Sequence, residues 1–281
     1  MEIFALIENQ SAEHARLKSE HGLSFLILAS GRRVMFDAGA SEAVVSNADA
    51  LGLGDELTKL DAIVLSHGHY DHVGGLPAVL ERCEHPIPIH VRPGFFHPRL
   101  STRDGTVRDV GVPFTAADLE ARGARFVEEK GPREIMPGFF VTGEIPLREE
   151  TTAGETELLL GRSRADATAD MFTDELAMAL PTERGLVTLV GCAHRGLVNS
   201  VLAAQAVTKG APGFAVLGGA HLRAADDLTI DWSAQRIREL VCYAFLGHCT
   251  GRTAETRFGS VLGANFRALR TGWRWQAPGL A

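Results

Sequence analysis

The segment of residues 66–75 reads SHGHYDHVGG, and it places three histidines and an aspartate within six residues, directly after the apolar run DAIVL. A short apolar run of this kind predicts a buried strand, so these polar side chains are expected where that strand ends. If the backbone stays extended, His67, His69 and Asp71 point to one side, because side chains alternate along a strand. His72 joins them if the chain then turns into a helix, which the following glycines favour. The segment therefore predicts a metal site.

The ligand types narrow the choice of metal. Imidazole and carboxylate together suit zinc, iron or manganese better than calcium or magnesium, which prefer oxygen ligands alone. One ion cannot easily use four ligands at such close spacing. The pattern thus predicts two divalent metal ions, zinc first with manganese or iron as alternatives, completed by downstream ligands and water. The competing interpretation is an exposed polar loop, and the preceding strand and the later histidines argue against it.

Composition indicates a soluble enzyme that binds a small-molecule substrate. The chain has 281 residues, of which 45% are hydrophobic, and no linker or repeat divides it, so a single domain spanning residues 1–281 is expected. A net charge of −7 argues against nucleic-acid binding. The sequence contains no long apolar run and has an acidic N-terminus, which predicts a cytoplasmic protein without membrane attachment. Four scattered cysteines without a CxxC pair fit a reducing compartment.

Strand-like and helix-like segments follow one another along the chain. Strands are predicted at residues 2–8, 23–29, 33–37, 61–65, 186–191, 213–218 and 240–245, with a hairpin turn at Ser30 and Gly31. Helices are predicted at residues 41–51, 196–207, 233–239 and 252–262. Strands covered by helices on their outer faces predict a layered α/β architecture.

Three later histidines also follow predicted strands. His194 lies in GCAHRG after VTLV, His221 in GGAHL after FAVL, and His248 in HCTG after YAFLG. Each is placed at a strand end and flanked by glycine, as expected of site residues on a rigid scaffold. Three such placements are difficult to explain by packing alone.

Taken together, these motifs resemble the metallo-β-lactamase superfamily. The matching segments are ENxxAEHxxLxxEHGLSFLI from residue 8, FDAGAS, LSHGHYDHVGGL, TGEIP, DELAMAL, GCAHRGLVNSV, GGAHL and HCTG. They are most similar to the subgroup named for 7,8-dihydropterin-6-methyl-4-(β-D-ribofuranosyl)-aminobenzene-5′-phosphate synthase, over nearly the whole chain. The resemblance implies a four-layer αββα sandwich with a metal site at one edge.

The resemblance also implies a ligand set. One metal would be bound by His67, His69 and His194, and the second by Asp71, His72 and His248. The superfamily usually carries a bridging aspartate in a Gly-Asp pair, whereas this chain has Gly191 and Cys192 there. Either Asp174 of DELAMAL supplies a carboxylate, or solvent alone bridges the metals. A further alternative exchanges the roles, with His194 in the bridging position and Asp174 as the upstream ligand.

The remaining candidates have weaker patterns. Cys192 and Cys249 neighbour presumed ligands, but buried cysteine is most often a small apolar residue, so ligation is the less favoured interpretation. His221 is expected to touch substrate or to support a ligand. His21 and Asp37 match early motifs of the subgroup and are expected to buttress the site. Four histidines match no ligand pattern and are treated as ordinary: His14, His85, His90 and His97.

The expected activity is hydrolysis of an ester, lactone or phosphoester of a small, anionic molecule. Metal-bound hydroxide would be the nucleophile, oriented by Asp71, and His221 would donate a proton to the oxyanion or leaving group. An arginine-rich segment, residues 92–114, is expected either to cover the metals and grip the anion or to be a solvated loop; it contains Arg92, Arg99, Arg103 and Arg108.

Other functions remain open from the sequence. The subgroup name implies a synthase that forms a C–C or C–N bond. A metal-containing binding or sensor protein with little turnover would carry the same ligands. A di-iron redox protein is a further alternative, but it would need an electron partner such as an appended flavin domain, for which the chain has no room.

Overall fold

The computed structural model describes residues 1–11, 16–149 and 157–281, so His14 lies outside the described residues. Within these ranges the chain forms eighteen strands: β1 (Glu2–Ile7), β2 (Ser24–Ala29), β3 (Arg32–Phe36), β4 (Ala62–Val64), β5 (Ile87–Val91), β6 (Arg99–Ser101), β7 (Arg108–Asp109), β8 (Ala124–Glu128), β9 (Arg133–Met136), β10 (Phe139–Val141), β11 (Leu158–Leu160), β12 (Thr168–Ala169), β13 (Met178–Thr182), β14 (Gly185–Leu189), β15 (Gly213–Gly219), β16 (Tyr243–Gly247), β17 (Phe266–Ala268) and β18 (Arg274–Gln276).

Eight α-helices occur in the same described ranges: α1 (Ala43–Ala50), α2 (Gly54–Thr58), α3 (Tyr70–Val73), α4 (Leu76–Arg82), α5 (Ala116–Glu120), α6 (Leu197–Val207), α7 (Asp227–Leu240) and α8 (Arg252–Leu262). None of the described helices has both the length and the apolar composition that a membrane crossing requires.

Two seven-stranded mixed sheets form the body of the fold. The first has the order β18-β1-β2-β3-β4-β5-β8, and the second has the order β17-β16-β15-β14-β13-β10-β9. Within the first, β3, β4, β5 and β8 run parallel. Within the second, β14, β15, β16 and β17 run parallel. Each sheet therefore presents the carboxyl ends of several strands along one edge, where binding sites of α/β proteins commonly lie.

Three buried clusters of apolar side chains separate four layers. The central cluster joins the two sheets and includes Phe25 and Phe36 of the first and Met178 and Leu217 of the second. A second cluster packs α1 and α4 on the outer face of the first sheet. A third packs α6, α7 and α8 on the outer face of the second sheet. The order of layers is αββα, which confirms the predicted sandwich.

Most predicted elements lie within two residues of their observed bounds. The hairpin between β2 and β3 turns at Ser30 and Gly31, both with positive φ (50° and 75°), as a two-residue turn between antiparallel strands requires. Two predictions are exceptions. The helix predicted at residues 233–239 begins six residues earlier, as α7 at Asp227, and the strand predicted at residues 240–245 begins late, because α7 continues to Leu240 and β16 begins only at Tyr243. Leu240 packs against the cluster beneath α7, so its apolar character reflects a buried helix face.

A third, small antiparallel sheet has the order β12-β11-β6-β7. Its strands β6 and β7 come from the arginine-rich segment at residues 92–114, which is therefore partly structured. The backbone N–H of Tyr70 donates to the carbonyl of Val110 at 3.1 Å, so this sheet is attached directly to the short helix α3.

Candidate metal centre

The predicted ligands meet at one edge of the sandwich. His67 and His69 follow β4, and α3 then begins at Tyr70, so His72 lies on a helical turn as the sequence predicted. Asp71, expected on extended backbone, lies on the same helical turn. His194 follows β14 in the second sheet. Gly191, which precedes it, approaches β4 so closely that a Cβ there would lie 2.1 Å from Ser66 Oγ. The absence of a side chain at Gly191 thus lets the two sheets converge at the site.

The first group of potential ligands consists of His67, His69 and His194. Nε2 of His67 lies 3.1 Å from Nδ1 of His69. The ring centroid of His194 lies 4.9 Å from that of His67 and 5.1 Å from that of His69. All three side chains are buried. Two imidazole nitrogens bound to one tetrahedral zinc would be roughly 3.3 Å apart, given Zn–N bonds of about 2.0–2.1 Å, so the observed spacing fits a shared ion.

The second group consists of Asp71, His72 and His248. Oδ2 of Asp71 lies 3.6 Å from Nε2 of His72 and 3.3 Å from Nε2 of His248. His21 stands at the rim of this group, with its Nε2 3.3 Å from the same carboxylate oxygen and its ring stacked on His248 at 5.0 Å. His21 therefore supports the site in the way that the sequence predicted.

Unsatisfied nitrogens provide a test of whether metal fits here. Both ring nitrogens of His194 and Nε2 of His69 are buried and have no hydrogen-bond partner among the described residues. A buried polar group without a partner costs about 1–3 kcal/mol, and native proteins rarely tolerate several together. The ring of Phe172 stacks on His194 at 3.8 Å, with an interplanar angle of 2°, and so fixes its orientation without satisfying it. A metal bound through His194 would satisfy one of its two ring nitrogens, and a metal bound through Nε2 of His248, which also lacks a hydrogen-bond partner among the described residues, would satisfy that atom.

Hydrogen bonds hold three histidines with Nε2 facing the site. Nδ1 of His72 lies 2.7 Å from Oδ2 of Asp37, a fully buried carboxylate. Nδ1 of His67 lies 2.9 Å from Ser66 Oγ, and Nδ1 of His248 lies 2.9 Å from Asn9 Oδ1. Partners of this kind orient metal-binding histidines and fix the nitrogen that carries the proton. Asp37 also accepts hydrogen bonds from the N–H and hydroxyl of Ser66, at 2.7 and 2.8 Å, in agreement with its predicted supporting role.

The histidines of the two groups differ in pKa because their burial and their charged neighbours differ. Burial lowers the pKa of His69 to about 3 and, together with neighbouring histidines, lowers the pKa of His67 and His194 well below the usual range. Burial opposes the charge on His72 as well, but the Asp37 and Asp71 carboxylates outweigh it and raise its pKa to about 9. The first group therefore offers neutral imidazoles, whereas a cation entering the second group must displace a proton from His72.

Asp174 is in a different position from the one predicted for a ligand. Its carboxylate lies 2.7 Å from Nη2 of Arg99 and accepts a hydrogen bond of 2.9 Å from the N–H of Gly68. Among the described residues, no group of potential ligands with donor atoms within 4.8 Å of one another includes Asp174. Metal ligation by Asp174 stays a prediction, and the contacts observed for its carboxylate are those with Arg99 and Gly68. Because Gly68 lies between His67 and His69, Asp174 positions the backbone that carries these two histidines.

Glu175 was not identified from the sequence, although it lies in the same DELAMAL motif. It is fully buried, and its carboxylate accepts hydrogen bonds from the N–H groups of His194 and Arg195, at 2.8 and 2.7 Å. Burial raises the pKa of Glu175 to about 7. It fixes the loop that presents His194. The only sequence signal for it is an acidic residue that precedes a buried apolar run.

The two cysteines beside presumed ligands lie inside the site. Sγ of Cys192 lies 3.2 Å from Nε2 of His72. Sγ of Cys249 lies 3.4 Å from the carbonyl oxygen of Cys192 and 3.3 Å from the N–H of His221. The ring of His221 lies 4.1 Å from that of His194, and its Nε2 lies 3.3 Å from Nη2 of Arg103. The structure thus brings His221 to the site, next to the first group.

Several residues here adopt left-handed backbone conformations that favour glycine. Two of them are predicted site histidines, His221 (φ 49°) and His248 (φ 55°). The other three contact or adjoin a predicted ligand: Asp37 (φ 57°), Phe172 (φ 50°) and Ala193 (φ 56°). Each such residue costs about 1–3 kcal/mol and persists only where surrounding contacts enforce it. Their concentration at one edge is typical of a functional site.

A cavity of about 370 Å³ opens above both groups. Its lining comprises His21, His69, Tyr70, Asp71, Ser101, Arg103, Arg108, Asp109, Val110, Leu158, Cys192, His194, His221, His248 and Cys249. The volume lies within the range of roughly 300–1,000 Å³ that small-molecule sites occupy. Ser101, Arg103, Arg108 and Leu158 belong to the third sheet or its connections, so that sheet forms one wall of the cavity.

The four arginines of residues 92–114 divide into two pairs. Arg103 and Arg108 line the cavity, as predicted for an anion grip. Arg92 and Arg99 are buried and do not belong to the lining. Arg92 donates to the carbonyls of Glu129 and Lys130, both at 3.0 Å, and Arg99 pairs with Asp170 at 2.8 Å and with Asp174. Only the first pair borders the cavity, so the prediction of an anion grip is kept for Arg103 and Arg108 alone.

Comparison with known proteins agrees with this arrangement. The 7,8-dihydropterin-6-methyl-4-(beta-D-ribofuranosyl)-aminobenzene-5'-phosphate synthase of Methanocaldococcus jannaschii is 32% identical over 289 residues, covering 97% of this chain and 95% of the relative. A crystal structure described as a metal-dependent hydrolase of the beta-lactamase superfamily has a TM-score of 0.82 and 28% identity, and each chain is covered to 99%. Zinc-bound PqqB from Methylobacterium extorquens shares the fold, with a TM-score of 0.56 and 13% identity over 99% of this chain and 100% of its own.

The sequence model of one protein family matches the part of the chain that contains most of the predicted ligands. The model of the metallo-beta-lactamase superfamily, whose members typically bind metal ions, matches residues 19–205. That range includes the HxHxDH segment, Cys192 and His194. Because the family model, the four-layer fold and the clustered ligands all agree, the chain belongs to the metallo-beta-lactamase superfamily.

Proposed function

We propose that this protein is a metal-dependent hydrolase that cleaves an ester, lactone or phosphoester of a small, anionic molecule. One observation carries the proposal: His69 and His194 of the first group and Asp71 and His248 of the second line a cavity whose wall carries Arg103 and Arg108. Two divalent ions, zinc first, would be held by His67, His69 and His194 and by Asp71, His72 and His248. Bound there, they would lower the pKa of a coordinated water to about 7 and polarise the bond to be cleaved.

The chain's own residues have separable roles in this proposal. Asp71 lies between His21 and His248, with one carboxylate oxygen 3.3 Å from each ring, and it borders the cavity. It would orient the attacking hydroxide. His221 lies on the opposite side, beside His194, where it donates a hydrogen bond to the developing oxyanion or to the leaving group. The buried, low-dielectric floor strengthens both interactions.

Two features of the cavity support an anionic substrate. Arg103 and Arg108 supply guanidinium groups, which bind phosphate or carboxylate with two parallel hydrogen bonds. Tyr70, which begins α3, is 37% exposed and provides an aromatic surface at the same cavity. A substrate with a phosphate or carboxylate and a planar ring uses both features.

A synthase activity is the second candidate, and the 32% identity over 97% of the chain to the Methanocaldococcus jannaschii enzyme favours it. The name of that relative describes a product that combines a dihydropterin, a methyl link and a ribofuranosyl-aminobenzene 5'-phosphate. The same cavity groups suit such substrates, because arginines bind the phosphate and Tyr70 stacks on a ring. Joining a dihydropterin methyl diphosphate to the aminobenzene ribotide would form one bond and release diphosphate.

One experiment separates these candidates. Protein purified without a histidine tag is analysed for metal per chain and then assayed with phosphomonoester, phosphodiester and lactone substrates. In parallel, it is incubated with the dihydropterin methyl diphosphate and the aminobenzene ribotide, and the products are analysed by mass spectrometry. About two equivalents of metal with hydrolytic turnover supports the hydrolase, whereas a coupled product with diphosphate release supports the synthase. Bound metal without either reaction contradicts both and favours a binding or sensor role.

A further inference from the structure

Cys192 holds a central position among the potential ligands. In the described part of the chain, four groups of three such residues have donor atoms within 4.8 Å of one another, and Cys192 belongs to three of the four. It is grouped with His67 and His194 of the first metal position, and also with His72 and His248 of the second. No other residue is shared between these two groups.

The spacing matches that of ligands on one ion. With a Zn–S bond of about 2.3 Å and a Zn–N bond of about 2.0–2.1 Å, sulfur and nitrogen at a tetrahedral zinc lie roughly 3.5 Å apart. Sγ of Cys192 lies 3.2 Å from Nε2 of His72. Nδ1 of the same ring is bound to Asp37 at 2.7 Å, so Nε2 is the nitrogen that faces the sulfur and the site.

The surroundings of Cys192 are those of a ligand more than those of an apolar core residue. Its side chain is buried, with 3% relative exposure, yet it belongs to none of the apolar clusters formed by the described residues. Its neighbours Val190 and Ala193 do belong to one of them. Cys192 therefore points away from the apolar layer, toward the ring nitrogens.

We propose that the Cys192 thiolate is a metal ligand shared by the two metal positions, in place of the bridging carboxylate that this chain lacks. The inference rests on the metal centre of the proposed function. On binding, the thiol gives up its proton to solvent and sulfur donates an electron pair to the ions. A thiolate among imidazoles selects a borderline-soft divalent ion such as zinc over magnesium, calcium or manganese, which prefer oxygen.

Cys249 serves as a matched control. It is buried nearby and forms a third group of potential ligands with Cys192 and His221, but it belongs to neither group that contains the proposed metal positions. Its sulfur contacts the carbonyl of Cys192 at 3.4 Å and the N–H of His221 at 3.3 Å. These contacts fix the loop after β16. We therefore expect Cys249 to position the site without binding metal at either of the two positions.

X-ray absorption of the zinc-loaded wild-type protein tests the inference without any substitution. A sulfur scatterer at about 2.3 Å, in addition to nitrogen and oxygen at about 2.0–2.1 Å, is the expected result. The same sulfur signal is expected in the Cys249→Ser variant. A shell of nitrogen and oxygen alone in the wild type overturns the proposal, and so does a sulfur signal that is lost in Cys249→Ser and kept in Cys192→Ser.

Cobalt substitution gives a second, spectroscopic readout. Wild type and Cys249→Ser should show an intense near-ultraviolet band from thiolate-to-cobalt charge transfer, whereas Cys192→Ser and Cys192→Ala should lack it. Metal affinity of both Cys192 variants, measured by competition with a chromogenic chelator, should fall at least about tenfold. Circular dichroism checks that the variants are folded. A wild type without the band overturns the inference even if the enzyme turns over, whereas a wild type with the band but without turnover removes only the proposed function.

Discussion

Asp37 lies beneath the second metal position, and its replacement by asparagine should weaken that position selectively. Oδ2 of Asp37 accepts from Nδ1 of His72 at 2.7 Å and from the hydroxyl of Ser66 at 2.8 Å, while Oδ1 accepts from the N–H of Ser66 at 2.7 Å. Asparagine keeps one oxygen for Ser66 but turns an NH₂ group toward His72. Nδ1 must then accept, which places the ring proton on Nε2, the nitrogen that faces the metal site.

The expected losses of metal affinity and of stability in Asp37→Asn follow from these contacts. Loss of the partner that orients a ligand histidine costs about 10–100-fold in metal affinity, which corresponds to about 1.4–2.7 kcal/mol. The metal-free protein should also lose about 1.5–3 kcal/mol of unfolding free energy, because one buried hydrogen bond between charged groups is removed. Asp37 is hydrogen-bonded directly to His72 but reaches His67 through the hydroxyl of Ser66, so the affinity of the first position should change less than that of the second.

The assay is a titration of metal-free protein with zinc in competition with a chromogenic chelator. Wild type should bind two equivalents, whereas Asp37→Asn should bind one at wild-type affinity and the second only at about 10–100-fold higher free zinc. Asp49→Asn is the matched control, because Asp49 pairs with Arg82 at the surface and belongs neither to the cavity lining nor to a group of potential ligands. Equal weakening of both positions, or two equivalents at unchanged affinity, would refute this account of His72.

Three further predictions concern activity and stability. Asp71→Ala should lose most turnover while the fold and part of the metal remain, whereas His85→Ala, which removes an exposed ring, should change nothing in the same kinetic assay. Arg108→Ala should raise KM for an anionic substrate about tenfold relative to a neutral analogue, and Arg122→Ala, at an exposed ion pair, should not. The folded-state pKa of His72 is raised to about 9, so its protonation stabilises metal-free protein fully below pH 6.5. This contribution, about 3 kcal/mol, should disappear as pH rises through 9, which thermal melts with chelator would detect.

The ligand residues could be predicted because their signal is local. HxHxDH follows a recognisable strand, and each later histidine follows another, so strand periodicity placed these histidines at strand ends and the family resemblance assigned His67, His194 and His248 to one site. The surroundings of Cys192 could not be predicted, because the sequence around a buried cysteine does not distinguish an apolar neighbourhood from one made of ring nitrogens. That distinction depends on α3 packing against the end of β14, a contact between the two sheets.

The arginines of residues 92–114 show why composition alone could not distinguish the arginines that line the cavity from those that are buried. All four lie in one polar segment, yet β6 carries Arg99 inward to Asp170 and Asp174, which are 71 and 75 residues away in sequence. A buried guanidinium is tolerated only where carboxylates and carbonyls satisfy it, and those partners become visible only in the folded chain. Arg103 and Arg108 remain at the cavity because they lie beyond the buried strand.

Asp174 and Glu175 show the same limit of sequence-based prediction at the metal centre, since their partners too become visible only in the folded chain. The sequence left two alternatives for the bridge between the metals, a carboxylate from Asp174 or solvent alone. In the fold, the oxygens of Asp174 contact Arg99 and the N–H of Gly68, while the carboxylate of Glu175 accepts hydrogen bonds from the N–H groups of His194 and Arg195. Two consecutive residues thus secure the two loops that supply the first metal position. Because each carboxylate holds backbone N–H groups of a ligand loop, the spacing of His67, His69 and His194 depends on the DELAMAL motif.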